Sequence, residues 1–548
     1  MMGALAAAPA CEKKSIGTDK QLPAELKPTR AAFDASKLVA PALFAHIPAD
    51  TPYVVAAFEP VGLDYYAKLK QGFGPLFAKA MADKRAESDG TPDLLDVIID
   101  ELGGKVDVNS VEALGLSAQP RFALYGIGVV PLVLRLEIKD ETTLRATIER
   151  IASKTNKTLP PPLTKDGRAY WRFGDKSPGS TAEAVIALVD KQLVIGYGPP
   201  VEIDAKLDLI LGIQKPGQNM ADGKALIEVM QRHGFGPQLI GYVDTRRLGA
   251  QGLALVPTQP PAACTTAVED LAKKVPRFAM GYTEISGKRA SGGAVVELDT
   301  SLLAEVAALR TEVPGLGTAL SDQPLIAMGG GVDIAKGAAL LTRAANAIRA
   351  TAEACQYGPA VDVANEVADS LSRPIPKPLT MFTGFAGAMH AFEMGSGGFA
   401  KLDAFGMVTA TSAKDLINLI KDQVPLDQIG LTTDGKLNKL NIPAGFAPQD
   451  VFGAVGDKAI VVGTGTKGKE LAERGLHGSA SGKSPFLVMS YDYGRLFDIQ
   501  LSMARMTGGM DPAEEQMVKS MASVFGRATF SADVNDKGVV MWGAFDLK

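Results

Sequence analysis

Two stretches of this chain, TKDGRAYWRF…AEAVIALVDKQLVIGYG at residues 164–198 and TTDGKLNKLNI…PQDVFGAVGDKAIVVGTG at residues 432–465, read as the same device written twice. In each, an Asp-Gly pair (Asp166-Gly167, Asp434-Gly435) sits between two extended runs, and an Asp-Lys pair (Asp190-Lys191, Asp457-Lys458) hinges a second, apolar pair of runs. Asp-Gly between alternating runs is a strong short-range hairpin signal, because both central residues of a type I′ turn need positive φ. The first Asp precedes the second by 24 positions in one copy and 23 in the other. A duplicated β-meander is therefore expected, and the neighbouring sequence repeats in the same order around it.

Working outward, the first copy is preceded by a buried-strand pattern (YVVAAFE), an amphipathic helix (GLDYYAKLKQGFGPLFAKAMADK) and a helix TPDLLDVIIDELGG, begun by Thr91-Pro92 and stopped by Gly103-Gly104. The strands RFALYGIG and PLVLRLEI follow, then the helix KDETTLRATIERIASK, whose Leu144, Ile148 and Ile151 define a sheet-packing face. After the meander come two helices, the strand PQLIGYVDTRRLG running into a turn, and a closing hairpin, RFAMGYTEISGKRASGGAVVELD. The second copy has the same succession, from PLIAMGGGVDIAKGAALLTRAANAI to the hairpin RATFSADVNDKGVVMWGAFDL, with Asp492, Arg495 and Leu496 standing where the first has Asp244, Arg247 and Leu248.

At 548 residues the chain exceeds what one hydrophobic core usually supports. The reading is α+β: two tandem, internally homologous units of mainly antiparallel sheet with helices on one face, unit 1 over 37–315 and unit 2 over 316–548. Residues 12–36 are polar and Pro-punctuated, the composition of a tether. The formal charge of −4, with acidic and basic residues mixed along the chain, gives no electrostatic support to a nucleic-acid partner. No window approaches the roughly 18 uninterrupted apolar residues of a membrane-spanning helix.

The first eleven residues, MMGALAAAPAC, are small and apolar up to Cys11 and give way at once to EKKSIGTDKQ. This resembles the end of a bacterial lipoprotein signal peptide, with Ala8, Pro9 and Ala10 in the lipobox positions; it departs in having Ala8 where Leu is commonest and no basic n-region. The resemblance implies that residues 1–11 end at a lipidated Cys11. It implies a membrane anchor on the periplasmic side of the envelope and, because Glu12 is not Asp, the outer membrane as destination. The duplicated organisation is similar to that of predicted bacterial lipoproteins, which implies a non-enzymatic binding or scaffolding module, with an envelope protein as partner and no cofactor. Cys264 and Cys355 are the other cysteines, and either one disulfide or two separate buried thiols fits the sequence.

The sharpest chemical motif is Gly463-Thr-Gly465-Thr-Lys-Gly468, which follows the strand AIVVG, opens a helix and precedes Asp492 by the spacing of a dinucleotide fingerprint. It defines one alternative function, a nucleotide- or dinucleotide-binding enzyme using Gly463, Gly465, Gly468 and Asp492. The internal repeat weighs against it, since the equivalent place is Gly196-Tyr-Gly198-Pro-Pro, with prolines where phosphate-binding amides are required. GSASGKS at 478–484 has three residues between its glycines where a phosphate loop has four, and it precedes a strand. His46, His233, His390 and His477 stand in no zinc spacing, and no GxSxG elbow occurs. Asp244 and Asp492 recur beside Arg247 and Arg495, the pattern of a repeated cap or local ion pair. The other alternative is a carrier enclosing an apolar ligand between the two units.

Overall fold

The computed structural model describes residues 31, 33–34 and 37–548, apart from short stretches at 88–93, 103–106, 156–158, 175–181, 223, 257–258, 357–360, 364, 367–368, 371–374, 396–397, 422–425, 443–448, 479–481 and 507. The lipobox-like segment with Cys11, most of the expected tether, and the caps Thr91-Pro92 and Gly103-Gly104 lie outside the described residues.

Among the described residues nineteen strands join in one sheet, and every strand pairing is antiparallel. The first ten are β1 (Tyr53–Ala56), β2 (Phe122–Gly126), β3 (Leu132–Glu137), β4 (Leu163–Lys165), β5 (Arg168–Gly174), β6 (Glu183–Val189), β7 (Gln192–Gly198), β8 (Ile240–Asp244), β9 (Arg277–Ile285) and β10 (Arg289–Glu297). The rest are β11 (Ile326–Gly331), β12 (Phe382–Gly395), β13 (Gly398–Ala410), β14 (Asn438–Lys439), β15 (Val451–Val455), β16 (Ala459–Thr464), β17 (Leu487–Asp492), β18 (Phe525–Val534) and β19 (Gly538–Leu547). Followed from neighbour to neighbour, the sheet runs β4-β5-β6-β7-β3-β2-β1-β8-β9-β10, then β19-β18-β17-β11-β12-β13-β16-β15-β14.

Read from its own outer edge inward, each half has the same spatial order of meander, opening strands, single strand and closing hairpin. Individual backbone bonds recur with it. Phe58 N–H donates to Pro237 O and Gly331 N–H to Pro485 O, both at 2.9 Å; Asp244 N–H donates to Pro52 O at 2.7 Å and Asp492 N–H to Leu325 O at 2.9 Å. The Asp-Lys hinges sit alike: Ile138 N–H donates to Lys191 O at 3.0 Å and Ala410 N–H to Lys458 O at 2.9 Å.

The halves meet where β10 pairs with β19 from Arg289↔Asp546 to Glu297↔Gly538, so the last strand of one half continues the sheet of the other. A second linkage is reciprocal. The first long helix of the first half, Leu63–Glu87, packs on Pro512–Val524, the last helix of the second half, with Phe73 against Phe525 at the start of β18, ring centroids 5.2 Å apart. Conversely Ile334–Ala354 of the second half packs on Ala262–Lys274 of the first, and a Cys264–Cys355 disulfide bonds this joint.

Three expectations are corrected. Helices cover both faces. Pro200–Leu211 and Ala225–His233 cover one side of the first half, with Gly465–Leu476 on the same side of the second. Glu141–Lys154 and Ala413–Ile420 pack on the opposite side of the two meanders, through Leu144 against Trp171 and Leu188 and through Ile417 against Val455. The second meander is also shorter: the run after Asp434-Gly435 forms only Asn438–Lys439 as strand, and none precedes it. Its second hinge is a three-residue loop, whereas Asp190 and Lys191 both hold positive φ as a type I′ turn requires. Lastly, the run after PQLIGYVD is a helix, Thr245–Ala254, capped by the Asp244 carboxylate.

The disulfide closes a loop with a sequence separation of 91 between halves that otherwise meet by packing and one strand pair. Reduction, or the Cys264→Ser/Cys355→Ser variant, is expected to lower stability in urea unfolding by about 2–4 kcal/mol. An unchanged midpoint would mean that packing alone carries this joint.

Candidate functional site

The fingerprint glycines fold as their residue types demand. Gly465 has φ 74°, a Cβ at Gly463 would lie 2.2 Å from the Gly468 carbonyl oxygen, and one at Gly468 would lie 2.1 Å from the Ala404 carbonyl oxygen. They bring strand, helix and neighbouring strand together. β16 lies between two antiparallel neighbours, β13 and β15, and so is not the first strand of a parallel nucleotide-binding sheet. At the start of Gly465–Leu476, the amides of Lys467 and Gly468 donate to the Asp403 carboxylate at 3.3 and 2.6 Å. The donors that would cradle a phosphate are satisfied by the chain's own anion. Asp492, instead of facing these glycines, accepts from Arg495 N–H at 3.1 Å and pairs with Arg527 at 3.4 Å. Its counterpart Asp244 accepts from the amides of Arg246 and Arg247. Arg247 and Arg495 in turn each donate to backbone just before the first strand of their half, at Ala49 O (2.8 Å) and Gln323 O (3.4 Å). The repeated Asp-Arg pair is a cap and a clamp.

Among the described residues the largest fully buried side chain is Arg135, on β3. It donates to Tyr125 Oη and Gln192 Oε1, both at 3.0 Å, and to the carbonyls of Leu209 (3.2 Å) and Ile210 (2.7 Å) at the end of Pro200–Leu211. The negative end of the helix dipole thus takes the place of a carboxylate partner. In the second half the same register position is Met407, which packs near Gly475 at the end of Gly465–Leu476. A plug of that helix end is common to both halves; the charge is not. His46 lies in the same region, buried, its imidazole pushed down to about 4 by burial and then by the Arg135 and Lys215 cations. Its Nδ1 finds no hydrogen-bond partner among the described residues. His233 is held by Glu297 at 2.8 Å, and among the described residues no group of three or more His, Cys, Asp and Glu side chains gathers as a metal site.

Sequence reasoning missed the feature that stands out on the four central strands. Cross-strand register places Phe278, Met280 and Tyr282 of β9, Ala290, Gly292, Ala294 and Val296 of β10, Val539, Met541, Gly543 and Phe545 of β19, and Ala528, Phe530, Ala532 and Val534 of β18 on one face. That face carries one polar atom, the Tyr282 hydroxyl, yet it is open: Phe278 is 44% exposed, Met280 39%, Met541 42% and Phe545 47%. The other face is buried and mixed, carrying Ala279, Val295, Trp542 and Ala544 of the core together with Thr283, Ser291, Glu297 and Ser531. A half-solvated antiparallel sheet ordinarily turns its polar side to water; here the open side is the more apolar of the two. The open band continues through Met489 and Tyr491 of β17 and Ile326 and Met328 of β11 to the exposed Val408 and Val462. The alternation in RFAMGYTEI and GVVMWGAF was the available signal, but it does not say which side is covered. Among the described residues no helix is long and apolar enough to cross a membrane. Comparison of the chain with family models, curated proteins and solved structures finds no match.

Two outcomes follow from the buried groups. Because His46 is held neutral, the unfolded chain binds a proton that the folded chain refuses between pH 6.5 and about 4. Stability is therefore full above this window and falls as pH drops through it, by at most about 3 kcal/mol; urea midpoints across pH should show the decline, and His46→Leu should flatten it. Asp403→Ala, which frees the amides of Lys467 and Gly468, is expected to cost about 1–2 kcal/mol in the same assay, with no melting shift of the parent chain on adding NAD or ATP. A shift with either nucleotide would restore the fingerprint reading.

Proposed function

We propose that the chain is a non-enzymatic binding module of the bacterial cell envelope. Two copies of one α+β unit, fused through β10 and β19, are tethered by lipid at Cys11 on the periplasmic side, with the outer membrane as the favoured location. The recurring strand order and the paired backbone bonds support duplication of one unit. The Cys264–Cys355 disulfide supports an oxidising compartment, where such bonds persist. What carries the binding role is the open apolar face of the central strands, since a contiguous exposed apolar surface on a folded chain marks a place where something else docks. An envelope protein or an apolar ligand fits that role better than a nucleotide, whose seat is taken by Asp403.

Expression in a Gram-negative host, followed by membrane fractionation and intact-mass measurement, tests the anchor. The parent chain is expected in the detergent-extractable membrane fraction with an acylated Cys11, and Cys11→Ser in the soluble periplasmic fraction. Equal distribution of the two, or an unmodified Cys11, removes the lipoprotein part of the reading.

A further inference from the structure

We infer that the open face over β9, β10, β19 and β18 is a seat for the hydrocarbon chain of an exchangeable lipid. This rests on the binding-module reading and names its ligand. The pseudo-twofold centre of the sheet is the pair Gly293↔Trp542; beside it, on the open face, Gly292 stands opposite Gly543. With Ala290 and Ala294 they leave a furrow along β10, flanked by the bulkier Met280 and Tyr282 of β9 on one side and Met541 and Phe545 of β19 on the other, and widened at Gly543 toward Phe530. Methionine adapts its shape to what it touches. The floor offers no charge and, apart from the Tyr282 hydroxyl, no hydrogen-bonding group, so a peptide laid along it would lose hydration at its amides without gaining partners. A methylene chain has no hydrogen bonds to water to give up there, and every CH₂ it buries is removed from water.

The surroundings select a slender occupant over a flat one. The helix Tyr493–Met506 lies on this same face, the Tyr493 ring stacked on Phe545 at 6.5 Å, and the joint of Leu63–Glu87 with Pro512–Val524 stands at the end of the strands where β18 begins. A helix is about 10 Å across and holds off a second sheet, whereas a chain one methylene wide fits beside it. The protein's own N-terminal lipid is the less suited source. Ala31 N–H donates to Gly234 O at 2.8 Å, and Phe33 and Leu38 pack on the core beneath the covered face, so the described chain begins on the far side of the sheet.

The test uses the full chain carrying Cys11→Ser, which removes its own acyl groups, titrated into a fluorescent palmitate analogue and competed with unlabelled palmitate. Saturable binding displaced by palmitate is expected. Gly543→Leu fills the furrow at a position where no atom comes nearer than 3.7 Å to the new Cβ, and Met541→Glu places a charge at an exposed one. Each should weaken binding about tenfold or more with the melting temperature unchanged, while Val201→Glu, on an exposed helix position elsewhere, should leave binding as it is. Absence of saturable binding, or binding indifferent to Gly543→Leu and Met541→Glu, overturns the inference. So does a dimer in sedimentation that Met541→Glu dissociates. If palmitate does not bind but Met541→Glu abolishes cross-linking to one envelope protein, the hydrocarbon seat fails and the binding module stands; if Met541→Glu changes neither, both fail.

Discussion

Strand β10 finds its second neighbour outside its own half, in β19, and the rest of the architecture depends on that pairing. Without it the chain would present two sheets, each with a long hydrophobic edge strand, the feature that natural sheets avoid because an unpaired row of amides and carbonyls recruits other chains. With it, each closing hairpin protects the other. The outer limits of the joined sheet are then only β4 and β14, short strands that offer little template. The exchange of helices adds to this: Leu63–Glu87 and Ile334–Ala354 each leave their own half to pack on the helix that precedes the closing hairpin of the other, so neither half completes its packing alone. Only one of these two equivalent joints is covalent, so the halves are held unequally although they are built alike.

Much of this order was legible in the sequence. The type I′ signature at Asp166-Gly167 and Asp190-Lys191 and the Asp-x-x-Arg-Leu pattern after β8 and β17 are local rules, set by φ preferences and by caps, and the similar stretches state them in both halves. The hinge between β15 and β16 shows how far that goes, since Asp457-Lys458 keeps the residue types of Asp190-Lys191 but turns through one more residue. Partner choice between distant strands was not legible. A period of two fixes which residues share a face, but the pairing of β10 with β19, 249 positions apart between Gly293 and Trp542, leaves no mark in either strand. Nor did the helical pattern around Cys264 and Cys355 say that the two helices would meet.

The Gly463 stretch shows why a motif needs its setting. Three glycines at that spacing serve close backbone approach whatever approaches. In a nucleotide site the pyrophosphate does, and here the backbone of Ala404 and the carboxylate of Asp403 do. The electrostatic demand of a helix N-terminus is the same in both cases; only the source of the anion differs. Arg135 and Met407 make the complementary point at the C-terminal ends of the equivalent helices, where one fold position accepts a cation bonded to carbonyls or an apolar side chain that packs.

The open face of the central strands is more apolar than the covered one, which folding alone does not ask for. Had the open face been the polar side, the sheet would need nothing further to be stable in water. Instead Thr283, Ser291 and Ser531 point into the covered side, where Thr283 and Ser291 bond to each other at 2.8 Å, while Phe278, Met280, Met541 and Phe545 point out. A sequence under selection for folding alone would exchange these sets, since burying the rings and thioethers would gain transfer free energy and exposing the hydroxyls would cost nothing. The arrangement persists across both halves and centres on the line where they join. An occupant of the proposed kind would account for such a surface, and its position on the joining strands means that only the joined halves, not either half alone, present it.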